Sequence, residues 1–149
     1  MKINKERDAS CTDIEVTVRY PHEDERVHQI LSFLHSVDMH IPCENDGVER
    51  MVSAAEIYYI ESVDKRTFIY LKKAVYRTDY RLYQLMEDLR DYGFVQISKS
   101  CILNINVLDG IKPLLNSRME ATLKNGEKVY INRNYLRDVK RALGGDDEK

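Results

Sequence analysis

Short apolar stretches separated by turn residues fill the chain from residue 56 to residue 131, and this pattern constrains the fold more than any other feature. Each stretch is four to six residues long, which is typical of strands in antiparallel sheets and too short for most helices. The turn at 124–127 contains Asn125-Gly126, a pair that favours a tight hairpin. The predicted strands lie at 56–60, 67–71, 74–77, 94–97, 101–105, 107–112, 118–123 and 128–131.

Two segments of this region have helical periodicity instead. The first covers about 79–91, with Thr78 placed to cap its start and Gly93 placed to end it. The second follows an asparagine cap at position 132 or 134 and runs to about residue 143. The apolar stripe of the first helix consists of Leu82, Leu85, Met86 and Leu89.

Residues 12–53 predict a smaller unit of strand, helix and hairpin. In the stretch 12–20, Ile14, Val16 and Val18 alternate with polar residues, a pattern typical of a half-buried strand. A helix is predicted at 23–36, where apolar residues recur every three or four positions. A hairpin should follow, with strands at 40–43 and 48–53 joined by a turn at 45–47.

The charge of the chain is divided unevenly along its length. Residues 1–50 hold 6 basic and 11 acidic side chains, a net charge of −5, whereas residues 51–145 hold 16 basic and 11 acidic ones, a net charge of +5. A basic back half would attract phosphates through counterion release, although an excess of this size also arises by ordinary fluctuation. We therefore expect an acidic module at 1–50, a main domain at 51–144 and an acidic tail at 145–149.

The cysteines and the start of the chain predict a soluble cytoplasmic protein. Cys11, Cys43 and Cys101 are far apart and lack zinc-site spacing, so we interpret them as reduced thiols. The first residues form no apolar signal region, and no apolar run approaches the length of a membrane span. Neither a metal nor another cofactor is expected, since the four histidines lack ligand spacing and the glycines form no phosphate-binding loop.

Catalysis is not predicted. Ser98, Ser100 and Cys101 are the best placed nucleophiles, but no histidine or aspartate stands near them in the sequence. The sequence therefore predicts neither an enzyme nor a small-molecule substrate. It also shows no helix-turn-helix pair and no zinc finger, so a DNA-binding function would need loops between strands.

The order and spacing of several blocks resemble the LytTR family of bacterial DNA-binding domains. The blocks lie at 57–62, 76–78, 82–89, 93–105, 123–127 and 131–135. The resemblance implies an α+β, mainly β fold: a stack of small antiparallel sheets with one packed helix and a C-terminal helix. It also implies a transcription regulator whose inter-strand loops enter the major groove of duplex DNA, where each base pair presents its own hydrogen-bonding pattern.

Two of the three loops that the resemblance implies follow predicted strands. The first contains Lys65, Arg66 and Thr67, whose alternative interpretation is a solvated hairpin tip. The second contains Lys99 between two serines, where an ordinary exposed loop is the alternative. Lys99 could contact guanine or phosphate, and the hydroxyls of Ser98 and Ser100 could donate hydrogen bonds to phosphate oxygens.

The third implied loop precedes the last helix. Arg133 is the strongest candidate, because a guanidinium fork is the commonest reader of guanine, although a surface salt bridge would also explain it. Asn134 and Arg137 are expected to contact the phosphate backbone of the DNA. For these two residues, a solvated helix face is an equally good explanation.

The resemblance also implies partners beyond the DNA. Residues 1–50 are too few for the receiver domain that many family members carry, so this chain resembles stand-alone regulators that act as homodimers on repeated sites, often beside a small membrane-protein regulator. The alternative function is a protein- or ligand-interaction module on the same scaffold with little DNA affinity. RNA binding is a third possibility, which would need exposed aromatic side chains near the basic loops.

Overall fold

A computed structural model describes residues 1–144, and the predicted acidic tail at 145–149 lies outside the described residues. The fold is α+β and mainly β, as predicted. Its helices are α1 (Glu25–Asp38), α2 (Leu82–Leu89) and α3 (Leu136–Ala142). Its strands are β1 (His40–Asn45), β2 (Val48–Ser53), β3 (Tyr59–Val63), β4 (Arg66–Tyr70), β5 (Val75–Thr78), β6 (Phe94–Ser98), β7 (Cys101–Asn104), β8 (Leu108–Pro113), β9 (Met119–Leu123) and β10 (Lys128–Ile131).

The strands form two antiparallel sheets. The larger sheet has seven strands in the order β2-β1-β5-β4-β3-β7-β6, and the smaller has three in the order β10-β9-β8. At the centre of the larger sheet, Ile60 pairs with Ile69 on one side and with Ile102 on the other. The seven-stranded sheet is therefore the scaffold from which the connecting loops project.

Each face of the seven-stranded sheet has its own apolar core. Ile102 packs with Leu85 and Leu89 of α2 in one core, whereas its neighbour Leu103 packs with Val139 of α3 and the smaller sheet in the other. The division follows from the strand geometry, because successive side chains point to opposite faces. The sheet is thus fixed between α2 on one face and the smaller sheet with α3 on the other.

The predicted strand at 12–20 does not form. Ile14 is 87% exposed and Val16 is 60% exposed, and these residues have no regular secondary structure. Strand formation needs a neighbouring strand to satisfy the backbone amides and carbonyls, and no described segment pairs with this one. The prediction of a half-buried strand at 12–20 is therefore wrong for the single chain, because the fold offers this segment no partner strand.

The helix and hairpin predicted after this segment do form. Helix α1 begins after Asp24, whose side chain accepts a 3.1 Å hydrogen bond from the amide of Val27. The β1–β2 hairpin then joins the seven-stranded sheet, since Glu44 of β1 pairs with Arg77 of β5. The front of the chain therefore contributes two strands to the same sheet as the back.

Two local boundaries differ from those predicted. The strand expected at 56–60 lies at Tyr59–Val63, because Ala54–Glu56 form a short 3-10 turn capped by Ser53. Helix α2 starts after Arg81 rather than after Thr78. The Thr78 hydroxyl instead donates to the carbonyl of Pro42, and so connects β5 to the hairpin. None of the helices within residues 1–144 has the length and apolar character needed to cross a bilayer.

Candidate nucleic-acid interface

Three loops lie together at one end of the strands of the seven-stranded sheet, and we call this end the loop edge. The first is the β3–β4 turn, the second is the β6–β7 turn and the third is the segment between β10 and α3. The amide of Ser62 donates a 2.8 Å hydrogen bond to the carbonyl of Ser100, which joins the first loop to the second. The amide of Asn132 donates a 2.8 Å bond to the carbonyl of Ile97, which joins the third to the second. The fold thus brings the three predicted sites onto one edge.

The first loop is a two-residue hairpin turn. Asp64 and Lys65 have φ angles of 51° and 66°, the left-handed conformation that a tight hairpin requires at both central positions. Since neither residue is glycine, this conformation carries some steric cost. Lys65 and Arg66 are both exposed, so their positive charges are available to a ligand at this edge.

Thr67 does not belong to this loop. It is the second residue of β4, where it pairs with Ser62 and Thr78, and it is only 3% exposed. The family resemblance grouped it with the loop, although the strand predicted at 67–71 already included it. Its buried side chain leaves Lys65 and Arg66 as the exposed members of the predicted set.

The second loop is held by its own polar groups. The hydroxyl of Ser98 accepts a 3.2 Å hydrogen bond from the amide of Ser100, and the amide group of Gln96 donates to the carbonyl of Lys99 at 3.4 Å. The register of the β6–β7 pair shifts between Gln96 and Ser98, which marks a bulge. Lys99 and Ser100 are exposed at the tip and Ser98 is partly buried.

The third loop is a capped 3-10 turn that leads into α3. The side chain of Asn132 accepts a 3.0 Å hydrogen bond from the amide of Asn134, and Arg133–Tyr135 form the turn. Val139 of α3 is fully buried and anchors the helix against the sheet. Arg133, Asn134 and Arg137 are exposed.

Within residues 1–144, no carboxylate forms an ion pair with the positive charges of this edge. The ion pairs found among residues 1–144 involve other cations, namely His28, Arg50, Arg77 and Lys128. The cations of the three loops make no ion pair with another described residue; they are Lys65, Arg66, Lys99, Arg133 and Arg137. An edge that concentrates unpaired positive charge is suited to a polyanion.

Sequence reasoning missed one cation at this edge. Arg81, which precedes α2, is exposed and its guanidinium donates a 3.2 Å hydrogen bond to the carbonyl of Lys65. Together with Lys65 and Arg66 it lines an open groove between the first loop and the β1–β2 hairpin. The sequence assigned Arg81 to the interior of a predicted helix at 79–91, which hid its contact with a turn sixteen residues earlier.

The buried thiol near the second loop has no nucleophilic character at neutral pH. Burial raises the pKa of Cys101 to about 12, and the nearby Glu61 carboxylate adds to the shift. The thiol therefore stays protonated, and a protonated thiol is a poor nucleophile and metal ligand. Within the described chain, no three His, Cys, Asp or Glu side chains are grouped so as to hold a metal ion.

Comparison with known proteins identifies the domain. The family described as "LytTr DNA-binding domain" matches residues 49–144. The LytTr DNA-binding domain of a methyl-accepting/DNA response regulator from Bacillus cereus superposes with a TM-score of 0.66 at 23% identity, covering 70% of this chain and 96% of that one. That likeness concerns the fold.

The chain covers different shares of the length of two relatives. The Sensory transduction protein LytT of Bacillus cereus is 30% identical over 122 residues, which are 80% of this chain and 49% of the relative. An uncharacterized HTH-type transcriptional regulator of Staphylococcus aureus is 28% identical over 130 residues, 72% of this chain and 88% of that protein. The chain thus spans about half the length of the LytT proteins it matches. Because the family match covers residues 49–144, well over half of the sequence, this chain belongs to the LytTr DNA-binding domain family.

Proposed function

We propose that this chain is a sequence-specific transcription regulator that binds duplex DNA through the edge formed by its three loops. The observation that carries the proposal is the meeting of these loops around the Ser62–Ser100 and Asn132–Ile97 hydrogen bonds, with cations on each loop that form no ion pair within residues 1–144. Loops fixed on a rigid sheet can enter the major groove, where base edges are distinguishable. The family match supplies the DNA-binding class, and the two regulators named above supply the regulatory context.

The exposed side chains divide into candidate base readers and candidate phosphate contacts. Arg133 is the first choice as a base reader, since its guanidinium can donate two bonds to O6 and N7 of a guanine. The side chains of Lys99 and Arg66 are long enough to contact either a guanine or a phosphate. Phosphate contacts set the register of the protein on the duplex without reading sequence. For this role we propose Lys65, Ser98, Ser100, Asn134 and Arg137.

We further propose that two copies act together in the cytoplasm on repeated half-sites. The surface offered by three short loops can contact only a few base pairs, which gives limited specificity among the many competing sites of a genome. Two copies on adjacent repeats multiply the specificity. A membrane protein that controls the availability of this regulator is a compatible partner, and the acidic segment 1–50 is the proposed place for such a contact.

Selection of duplexes from a random pool with the purified chain tests the proposal directly. We expect an enriched motif containing two copies of a short half-site at a fixed spacing. Binding to that motif should weaken steeply as the salt concentration rises, because each phosphate contact releases a counterion. A pool that yields no motif, with affinity equal to that for unrelated duplex, would contradict the proposal and favour an interaction module.

A further inference from the structure

Residues 13–20 have the side-chain pattern of a strand, but a single chain leaves them unpaired. Ile14 and Val16 are 87% and 60% exposed, and Val18 is the one residue of this stretch that is partly buried. No backbone hydrogen bond joins these residues to any other described segment. Exposed β-branched residues alternating with polar ones are unfavourable in water unless another strand covers them.

The seven-stranded sheet has an open edge suited to such a strand. Strand β2 pairs in unbroken register with β1 from Val48 to Ser53, and its other side has no partner among the described strands. It has no proline and no bulge, two features that block addition of another strand, and its two charged residues, Glu49 and Arg50, have opposite signs. Val48 and Met51 are 65% and 57% exposed. An edge of this kind is a template for a further strand.

Two of the other sheet edges, β8 and β6, are protected. Strand β8 has a register shift between Leu108 and Gly110 and ends in Pro113, which lacks an amide hydrogen. At β6 the carbonyl of Ile97 already accepts a hydrogen bond from the amide of Asn132. Of the edge strands β2, β6 and β8, only β2 combines an unblocked backbone with exposed apolar side chains.

Helix α1 places two exposed apolar side chains, which we call the shelf, beside this edge. Phe33 and Val37, one turn apart on α1, are 45% and 43% exposed. The hydroxyl of Ser53 at the end of β2 donates a 2.9 Å hydrogen bond to the carbonyl of Val37, so the shelf adjoins the edge strand. A strand added to β2 would have its apolar face next to these two side chains.

We propose that residues 13–20 of one copy add as an outer strand to β2 of a second copy, and that reciprocal exchange forms a dimer. Ile14, Val16 and Val18 would cover the shelf of Phe33 and Val37, and the backbone of the added strand would satisfy the free edge. Both copies would use the same two surfaces, as a closed two-fold dimer requires. Main-chain pairing would supply affinity, and the alternating side chains would set the register.

The connection to α1 favours a second copy over the chain's own edge. Glu25, at the start of α1, lies beside Gly144, whereas the end of α1 lies beside Ser53. A helix of 14 residues is about 21 Å long. The linker Pro21–Asp24 spans at most about 18 Å, so Tyr20 reaches Ser53 of its own chain only when the linker is fully extended along α1. A second copy is free of this limit.

The exchanged strand would form the contact surface of the dimer, and so it rests on the function proposed above. The exchange can be tested without DNA. Sedimentation of the full chain in the micromolar range should give the mass of a dimer. Val16→Pro removes a strand hydrogen bond, and Met51→Lys places a charge at the edge. Since both residues are exposed in the single chain, each variant should stay folded and sediment as a monomer, with a dimer dissociation constant raised at least tenfold.

Lys5→Pro, in the exposed stretch before the proposed strand, is the matched control and should remain dimeric. A second measurement locates the contact. With Cys11→Ser to remove the exposed thiol, Val16→Cys and Met51→Cys in separate chains should form a disulfide between chains on mixing. A monomeric wild type, or a dimer that survives both Val16→Pro and Met51→Lys, would overturn the inference. Loss of DNA binding with an intact dimer would instead count against the proposed function.

Discussion

The guanidinium of Arg81 donates a 3.2 Å hydrogen bond to the carbonyl oxygen of Lys65, and so links the start of α2 to the β3–β4 turn. This turn is the one loop of the edge built from two successive left-handed residues that are not glycine, Asp64 and Lys65. A conformation with a steric cost persists where its surroundings hold it. Arg81 therefore positions the turn as well as adding charge to it.

The first prediction follows from this bond. Arg81→Ala should lower the affinity for the selected duplex by about tenfold, the size of one charged contact together with a loosened loop. Arg81→Lys keeps the charge but not the planar fork, so it should recover only part of the loss. Electrophoretic mobility shifts at fixed salt measure both. Arg90→Ala, at the opposite end of α2, is the control and should bind as the wild type does.

The second prediction separates base reading from phosphate contact. Arg133→Ala should reduce affinity for the selected site by about 1–3 kcal/mol and relax the preference at one base position, as expected for loss of a bidentate guanine contact. Lys65→Ala should weaken binding to all sequences alike and lower the salt slope by about one. Titrations at several salt concentrations distinguish the two patterns.

Lys73 supplies the matched control for these variants. It is exposed in the turn between β4 and β5, at the end of β4 opposite to Arg66. Lys73→Ala removes the same charge from the other end of the sheet, so its affinity and salt slope should equal those of the wild type. If Lys73→Ala weakened binding as much as Arg133→Ala, the interface would have to be moved to another surface.

The sequence was most informative where local chemistry decides the structure. Gly93 has a φ of 90° and ends the turn after α2, and Asn132 caps the turn before α3, both as their residue types indicate. Short apolar runs located strands β4 to β10 to within a few residues, because each run matches one burial pattern. These signals placed Lys99 and Arg133 correctly on loops.

What the sequence could not supply depends on contacts between distant segments. The resemblance predicts that Thr67 contacts DNA, yet its pairing with Thr78 and Ser62 buries it within the sheet. The bond between Arg81 and Lys65 joins residues whose predicted elements, a helix and a turn, gave no reason for contact. The segment 12–20 had the pattern of a strand, but a pattern does not reveal whether a partner strand exists.

The third prediction concerns a buried asparagine that connects the end of β7 to the segment before β3. Asn104 is 2% exposed; its side-chain amide donates a 2.8 Å hydrogen bond to the carbonyl of Ile57, and its oxygen accepts from the amide of Asn106. Asn104→Ala would leave both backbone groups without these partners. The free energy of unfolding should fall by about 2–4 kcal/mol, which urea titration measures. Asn106→Ala, which keeps both backbone groups paired, should cost clearly less.

The fourth prediction concerns stability in alkaline solution. Burial raises the pKa of Cys101 to about 12, while the unfolded chain exposes the thiol to water and restores its ordinary value of 9.0. Between these values the folded protein retains a proton that the unfolded chain releases. Rising pH therefore favours unfolding, and Cys101 contributes a loss of up to about 1.4 kcal/mol per pH unit from pH 9 towards 12.

Cys101→Ala isolates this contribution. The variant should be less stable than the wild type at pH 7, because a small cavity replaces the sulfur, but its stability should decline less steeply between pH 9 and 11. Buried Cys43 and partly buried Tyr59, whose pKa values are also raised, contribute equally in both proteins and cancel from the comparison. Cys11→Ala, which removes an exposed thiol, should follow the wild-type curve. Parallel declines for Cys101→Ala and the wild type would show that the thiol of Cys101 ionises as readily in the folded protein as in the unfolded chain.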